Sequence, residues 1–290
     1  MKVTKTNYLR YRDCAHNAWV AVHQPDVYHA HPLSEFDQAL METGRDVDEL
    51  ARDLFPGGFL MPRSDIAMTA AHVAQRGRIL YQPVFETDRF ATVSDILQWN
   101  AAVGMYDLYE VKSSTSNTKK DHDELYTYDL AFQAEVLREC EVPVGRYFIV
   151  RLKSTYERGE ELDVQQLFSV EEFTERVAAV REAARMEMDA AHTFVSSERK
   201  PNGPCGCMYR GRSAHCTTFQ YINPSVPTYS VHDIARIGLS RAKLQELVER
   251  NILAIIDIPD DFPLTEIQRN QVTALRPAPR SSIRWRSLDF

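Results

Sequence analysis

The chain has 290 residues, of which 44% are hydrophobic and 26% are charged, a mixture typical of globular proteins that bury a sizeable core. No stretch approaches the roughly 20 apolar residues of a membrane span, and no apolar block follows the N-terminal residues, so we expect a cytoplasmic protein without a secretory signal. The formal net charge of -7 speaks against a surface coated in basic residues, although it leaves room for a local basic groove.

Helical spacing of apolar residues predicts three helices before Arg78, over residues 4–21, 34–54 and 66–77. The second of them ends at the helix breaker Phe55-Pro56-Gly57-Gly58. From Arg78 the pattern changes to alternation. The segments RILYQPVFETDRFATVSDILQWN and MYDLYEVKSS together predict three adjacent strands.

After these strands, the sequence predicts a helix, a further strand and a long helix. YTYDLAFQAEVLREC predicts a helix, VGRYFIVRLKS predicts a strand with a hairpin turn at Arg158-Gly159, and residues 169–196 predict a long helix. This order of elements predicts an α/β fold in which a sheet has helices on both faces.

The composition changes after Ser197 to a loop rich in Gly, Pro, Arg and Cys. Residues 221–275 follow as a small helical unit, either a helix-hairpin-helix that docks on nucleic-acid phosphates or a plain helical appendage. Residues 276–290 form a basic, proline-containing tail. The domain prediction is therefore a first domain over residues 1–220, this helical appendage, and the tail.

Two carboxylates and a lysine fall on neighbouring predicted strands. Asp95 lies among apolar residues, where an acid is costly unless it is paired or bound to a metal. Placed opposite Glu110, it would form an oxygen site suited to Mg²⁺ or Mn²⁺. Lys112 points to the same face of the strand as Glu110. The alternative is an ordinary solvated strand end, because Glu-x-Lys is a common surface pattern.

Five cysteines are present, and Cys205, Cys207 and Cys216 lie close together in the loop. An odd count with this clustering favours a metal ion or a cluster over a disulfide framework.

These motifs resemble the RecB-like PD-(D/E)xK nucleases, which include CRISPR-associated RecB-like exonucleases and AddB nuclease domains. The segments TKTNYLRYRDCAHNAWV, LARDLFPGG, YEVKSSTS, YDLAFQAEVL and LDVQQLFSVEEFTERV are similar to that family in the same order, over most of residues 4–260. The resemblance implies a restriction-endonuclease-like mixed sheet flanked by helices. It also implies an Mg²⁺- or Mn²⁺-dependent DNA nuclease, an exonuclease acting on single strands or duplex ends in repair, recombination or defence.

The resemblance also implies roles for individual residues. Asp95, Glu110 and the Val111 carbonyl would ligate the metal, and Lys112 would assist. Gln133 matches the glutamine of the family's Gln-x-x-x-Tyr motif, although Leu137 stands at the tyrosine position.

A third side-chain ligand is expected from the helix that ends before Phe55. Asp48 stands where the family has histidine in its Gly-x-x-x-His motif, and Glu49 is the neighbouring alternative.

Relatives of this type hold a [4Fe-4S] cluster through one cysteine near the N-terminus and three beyond the nuclease core. Cys14 matches the first, and Cys205, Cys207 and Cys216 match the group of three, with structural zinc as the alternative occupant. The competing function is a non-catalytic nucleic-acid-binding or interaction module that keeps the fold and the cluster.

Overall fold

The computed structural model describes residues 1–30, 35–115 and 120–276, with the side chains of Lys120 and Asp121 left undescribed. The predicted basic tail over residues 276–290 lies outside this part of the chain, except for Arg276. None of the helices among the described residues combines the length and the apolar composition that crossing a membrane requires.

The described strands are short except for two central ones. They are β1 (Val3–Thr4), β2 (Phe59–Leu60), β3 (Ile79–Tyr81), β4 (Val84–Glu86), β5 (Phe90–Val93), β6 (Ile96–Asn100), β7 (Met105–Thr115), β8 (Val144–Leu152) and β9 (Phe168–Glu172). The main sheet has the order β2-β3-β6-β7-β8-β9, and β1, β5 and β4 form a separate small sheet. Both sheets mix parallel and antiparallel pairs, with β7 and β8 parallel at the centre of the main one.

The described α-helices are α1 (Lys5–Asp13), α2 (Ala15–His23), α3 (Pro25–Tyr28), α4 (Glu35–Ala51), α5 (Ile66–Gln75), α6 (Lys120–Glu139), α7 (Val164–Leu167), α8 (Thr174–Ser196), α9 (Phe219–Ile222), α10 (Arg241–Glu249) and α11 (Glu266–Leu275). Helix α4 packs against β7, and α6 and α8 pack against each other and against β8. The protein is thus a mixed α/β structure whose mixed sheets are flanked by helices.

Alternation along β7 separates two apolar cores on the two faces of the main sheet. Leu108 belongs to the core that includes residues of α1, α6 and α8, whereas Tyr109 belongs to the core that includes Val47 and Ala51 of α4. Because side chains alternate along a strand, Glu110 and Lys112 share the face of Leu108. The strand therefore aims both motif side chains toward α6.

Three predicted elements differ from the observed ones. The predicted helix over residues 4–21 is two helices, because Cys14 has an extended backbone (φ -155°, ψ 106°) and caps both. The region predicted as three strands contains β3 to β7, which divide between the two sheets. The predicted helix over residues 169–196 begins only at Thr174, because the residues before it form β9 and pair antiparallel with β8.

The chain divides into two units, Met1–Pro201 and a second unit that begins at Asn202. This division differs from the predicted boundary at residue 220, since it groups the cysteine loop with the helical appendage. Local packing explains the grouping. A Cβ placed on Gly238 would lie only 3.2 Å from Gly211 Cα, and the buried His232 donates from Nε2 to the carbonyl of Met208 at 2.9 Å.

The second unit has an apolar core of its own. Its members are Val231, Ile234, Ile237, Leu244, Leu247, Ile255, Ile258, Phe262 and Val272. The stretch predicted as a helix-hairpin-helix contains α10 between short 3₁₀ turns, and α11 begins only at Glu266. The geometry is that of a small helical unit with a single full α-helix in that stretch.

Candidate functional site

The pairing of β6 with β7 brings Asp95 beside Glu110. Ile96 is in register with Tyr109, so Asp95, which directly precedes β6, lies level with Glu110. Asp95 Oδ2 accepts a hydrogen bond from the backbone N–H of Val111 at 2.7 Å. The predicted juxtaposition of the two carboxylates is therefore present.

The Glu110 carboxylate is buried and accepts hydrogen bonds at both oxygens. Lys112 Nζ and Lys5 Nζ each lie 2.7 Å from Oε1. Gln133 Nε2, from α6, donates to Oε2 at 2.7 Å. The structure thus brings Asp95, Glu110, Lys112 and Gln133 into one centre.

Two further residues belong to this centre, and neither is among the site residues predicted from the sequence. Asp129 is 1% exposed, and it accepts from Lys112 Nζ at 2.6 Å and from Gln133 Nε2 at 2.9 Å. Lys5 Nζ lies 3.5 Å from Asp129 Oδ1. Asp129 stands one helical turn before Gln133 among buried apolar neighbours, which is a usable signal. Lys5 is 105 residues from Glu110 and has no local signal. We call Lys5, Asp95, Glu110, Lys112, Asp129 and Gln133 the carboxylate centre.

Asp48 lies at the margin of this centre. Its Oδ2 accepts hydrogen bonds from Arg52 and from Gln82 Nε2, the latter at 2.9 Å. Its Oδ1 is buried and has no hydrogen-bond partner, and its charge contributes to raising the pKa of Asp95. Glu49 is exposed. Asp48 is therefore the better placed of the two alternative ligands.

The pKa values of the two paired carboxyls move apart. Burial, together with the neighbouring charge of Glu110, raises the pKa of Asp95 to about 8. Burial would also raise the pKa of Glu110, but the ammonium groups of Lys112 and Lys5 lower it well below its usual range. Burial lowers and the surrounding carboxylates raise the pKa values of Lys5 and Lys112, and the net direction for both is upward. Both lysines therefore remain ammonium ions.

With all of its carboxyl groups ionised, the site carries one more negative than positive formal charge. Four carboxyl groups, those of Asp48, Asp95, Glu110 and Asp129, face the cations of Lys5, Lys112 and Arg52. Burial is the main cause of the raised pKa of Asp95; the charges of Glu110 and Asp48 add to it, and those of Lys5 and Lys112 oppose it. An all-oxygen donor set with a buried, unpartnered Asp48 oxygen is the kind that Mg²⁺ or Mn²⁺ prefers.

The four predicted cysteines form a group of their own. The Sγ atoms of Cys14, Cys205, Cys207 and Cys216 all lie within 4.8 Å of one another, and all four residues are buried. Such a group could hold a metal ion. No three acidic residues of the described chain meet the same distance criterion, so the carboxylate centre is more widely spaced than the cysteine group.

Asn223 contacts the cysteine group, whereas two other candidate ligands, His215 and Cys140, lie outside it. The buried Asn223 accepts from the backbone N–H of Cys205 and donates from Nδ2 to its Sγ at 3.4 Å. His215 stacks on Phe219 and has its Nε2 3.0 Å from the carbonyl of Arg210, so it is not one of the grouped ligands. Cys140, for which we predicted no role, is half-buried and also lies outside the group.

Neither a search with models of known protein families nor a search of curated proteins finds a match to this chain.

Proposed function

We propose that the chain is a metal-dependent DNA nuclease of the PD-(D/E)xK type, built on a restriction-endonuclease-like core in the cytoplasm. The observation that supports it most is the meeting of four predicted residues from separate elements. Asp95 precedes β6, Glu110 and Lys112 lie on β7, and Gln133 lies on α6, and hydrogen bonds connect the last three directly. A surface Glu-x-Lys pattern would not require burial of the glutamate.

In this proposal the metal is held by Asp95, Glu110 and the Val111 carbonyl, with Asp48 as the third side chain. A bound Mg²⁺ or Mn²⁺ supplies Lewis acidity and a water of lowered pKa. Lys112 keeps its proton because Asp129 and Glu110 surround its ammonium group, and it presents a fixed positive charge to the scissile phosphate. Gln133 holds the Glu110 carboxylate in orientation through Oε2.

The cysteine group is proposed to hold a [4Fe-4S] cluster, with zinc as the alternative. Four buried thiols suit either, and the N–H···S contact from Asn223 is of the kind that tunes iron–sulfur sites. Anaerobic purification followed by iron, sulfide and zinc analysis distinguishes them, since only the cluster contains iron and sulfide.

The test of the nuclease proposal compares Glu110→Gln with the wild-type protein on single-stranded and duplex DNA ends. We expect wild-type cleavage that requires Mn²⁺ or Mg²⁺, and a loss of at least about 100-fold in the variant. Asp48→Asn is expected to weaken cleavage, while Glu49→Gln on the same helix is the matched control and is expected to leave it unchanged. Equal cleavage by wild type and Glu110→Gln would refute the proposal.

One observation favours the alternative, a nucleic-acid-binding module without catalysis. Both oxygens of Glu110 already accept from Lys5, Lys112 and Gln133. Binding of DNA ends with no cleavage in either metal, and no Mn²⁺ uptake, would establish that alternative.

A further inference from the structure

Lys5 is a second cation in the carboxylate centre, outside the Asp…Glu-x-Lys motif. It is the first residue of α1 and follows Thr4, whose side chain caps the helix by accepting from Asn7 N–H. Thr4 in turn pairs with Ala91 of β5, which fixes where the helix begins. The Lys5 side chain is 18% exposed. The start of α1, fixed by the pairing of β1 with β5, therefore positions the Lys5 ammonium group in the carboxylate centre.

Lys5 and Lys112 share one oxygen atom. Both Nζ atoms lie 2.7 Å from Glu110 Oε1. Two ammonium groups that close to the same atom repel each other, so nearby carboxylates must offset their charge. Asp129 contacts both lysines and supplies a second carboxylate beside Glu110.

The two lysines are not held equally. Lys112 has a second close carboxylate, Asp129 Oδ2 at 2.6 Å, whereas the second partner of Lys5 is Asp129 Oδ1 at 3.5 Å. If Glu110 turns to a new cation, Lys112 retains a close ion pair and Lys5 does not. Lys5 is therefore the lysine that loses its close ion pair when Glu110 turns away.

We propose that Lys5 is a built-in competitor for the metal: it occupies Glu110 in the metal-free protein, and a divalent cation must displace it to bind. Lys5 is then a positioning residue that sets the metal affinity and neutralises the empty centre. This inference rests on the proposed function, because it requires that Glu110 ligates a metal.

The test measures Mn²⁺ binding by titration calorimetry on wild type, Lys5→Gln and Lys5→Met. We expect both variants to bind Mn²⁺ about tenfold more tightly than wild type, since the competing charge is gone. Without metal they should unfold at lower urea concentrations than wild type, and Mn²⁺ should recover a larger part of their stability. Lys5→Arg, which keeps the charge, should retain the weaker affinity.

Lys2→Met is the matched control. Lys2 lies three residues earlier, pairs with the partly exposed Glu86, and should leave the Mn²⁺ affinity unchanged. Equal or weaker Mn²⁺ binding by folded Lys5→Gln would overturn the inference and assign Lys5 a structural role alone. Failure of the wild type, Lys5→Gln and Lys5→Met alike to bind Mn²⁺ would instead overturn the proposed function.

Discussion

The ammonium group of Lys112 lies 2.6 Å from Asp129 Oδ2, which joins strand β7 to helix α6 inside the carboxylate centre. Asp129 is 1% exposed and receives a second hydrogen bond from Gln133. The lysine of the motif is therefore held by a partner outside the motif.

Asp129→Asn should destabilise the protein and impair cleavage. The variant leaves a buried ammonium group with Glu110 as its remaining close carboxylate, and breaking a buried ion pair typically costs about 3–5 kcal/mol. We expect urea unfolding to report a loss toward the lower end of that range, because Asn still offers a hydrogen-bond acceptor. Glu124→Gln on the same helix, at a side chain that is 70% exposed, is the control and should change neither quantity. Unchanged stability of Asp129→Asn would show that the pair contributes nothing.

Gln133→Leu should lower activity more than it lowers stability. The substitution removes the donor that orients Glu110 Oε2 and Asp129 Oδ1 while filling the same buried space. Loss of a group that orients a ligand typically costs about 10- to 100-fold in metal affinity or activity. Steady-state cleavage and Mn²⁺ titration check this. A fall in stability with normal cleavage would contradict it.

The stability of the metal-free protein should fall as pH rises toward 8 because of Asp95. Its folded-state pKa of about 8 lies above the unfolded value of about 3.9, so the folded state holds a proton that the unfolded state releases. The contribution is fully present below about pH 4 and is lost as pH rises through about 8. Asp95→Asn should lack this dependence.

Urea unfolding in EDTA between about pH 6 and about pH 9 measures the effect. The difference between wild type and Asp95→Asn should change by about 1–2 kcal/mol across that window, a discounted figure because the Asp95 side chain is not fully buried. Mn²⁺ should abolish the wild-type trend, since a ligating carboxylate is ionised. If the difference in unfolding free energy between wild type and Asp95→Asn does not change with pH, the pKa of Asp95 is not raised.

Cys14→Ser should strip the metal or cluster from the cysteine group. Four thiols lie together there, and three thiolates with a hydroxyl hold iron or zinc less well. We expect metal content per chain to fall to near zero and the thermal midpoint to drop, because metal binding contributes directly to folding. Cys140→Ser, outside the group, should retain full metal content. Equal metal content in the two variants would disprove the assignment.

The sequence predicts those parts of the carboxylate centre that depend on local pattern. Alternation on neighbouring strands places Glu110 and Lys112 on one face and Asp95 beside them, and the family resemblance adds Gln133 on α6. Lys5 escapes prediction because its contact with Glu110 spans 105 residues and depends on where α1 begins.

Secondary-structure prediction fails where tertiary pairing overrides local pattern. Residues 168–172 have a helix-compatible composition but pair with β8, and Cys14 breaks a continuous helical pattern because its backbone is extended. The pairing of β9 with β8 joins segments that are separated along the chain, so the local pattern does not reveal it. The cysteine loop likewise belongs with the second unit because Gly211 and Gly238 approach closely, which spacing along the chain does not reveal.

Helix α1 begins at Lys5 and is capped at its other end by Cys14. Its nine residues make a rod of about 13 Å, with an ammonium group at one end and a thiol at the other. A rigid helix transmits a tilt or a shift imposed at either end to the other. One nine-residue helix therefore has a cation of the carboxylate centre at its start and a member of the cysteine group as its C-terminal cap, so a substitution that shortens or breaks α1 is expected to disturb both sites.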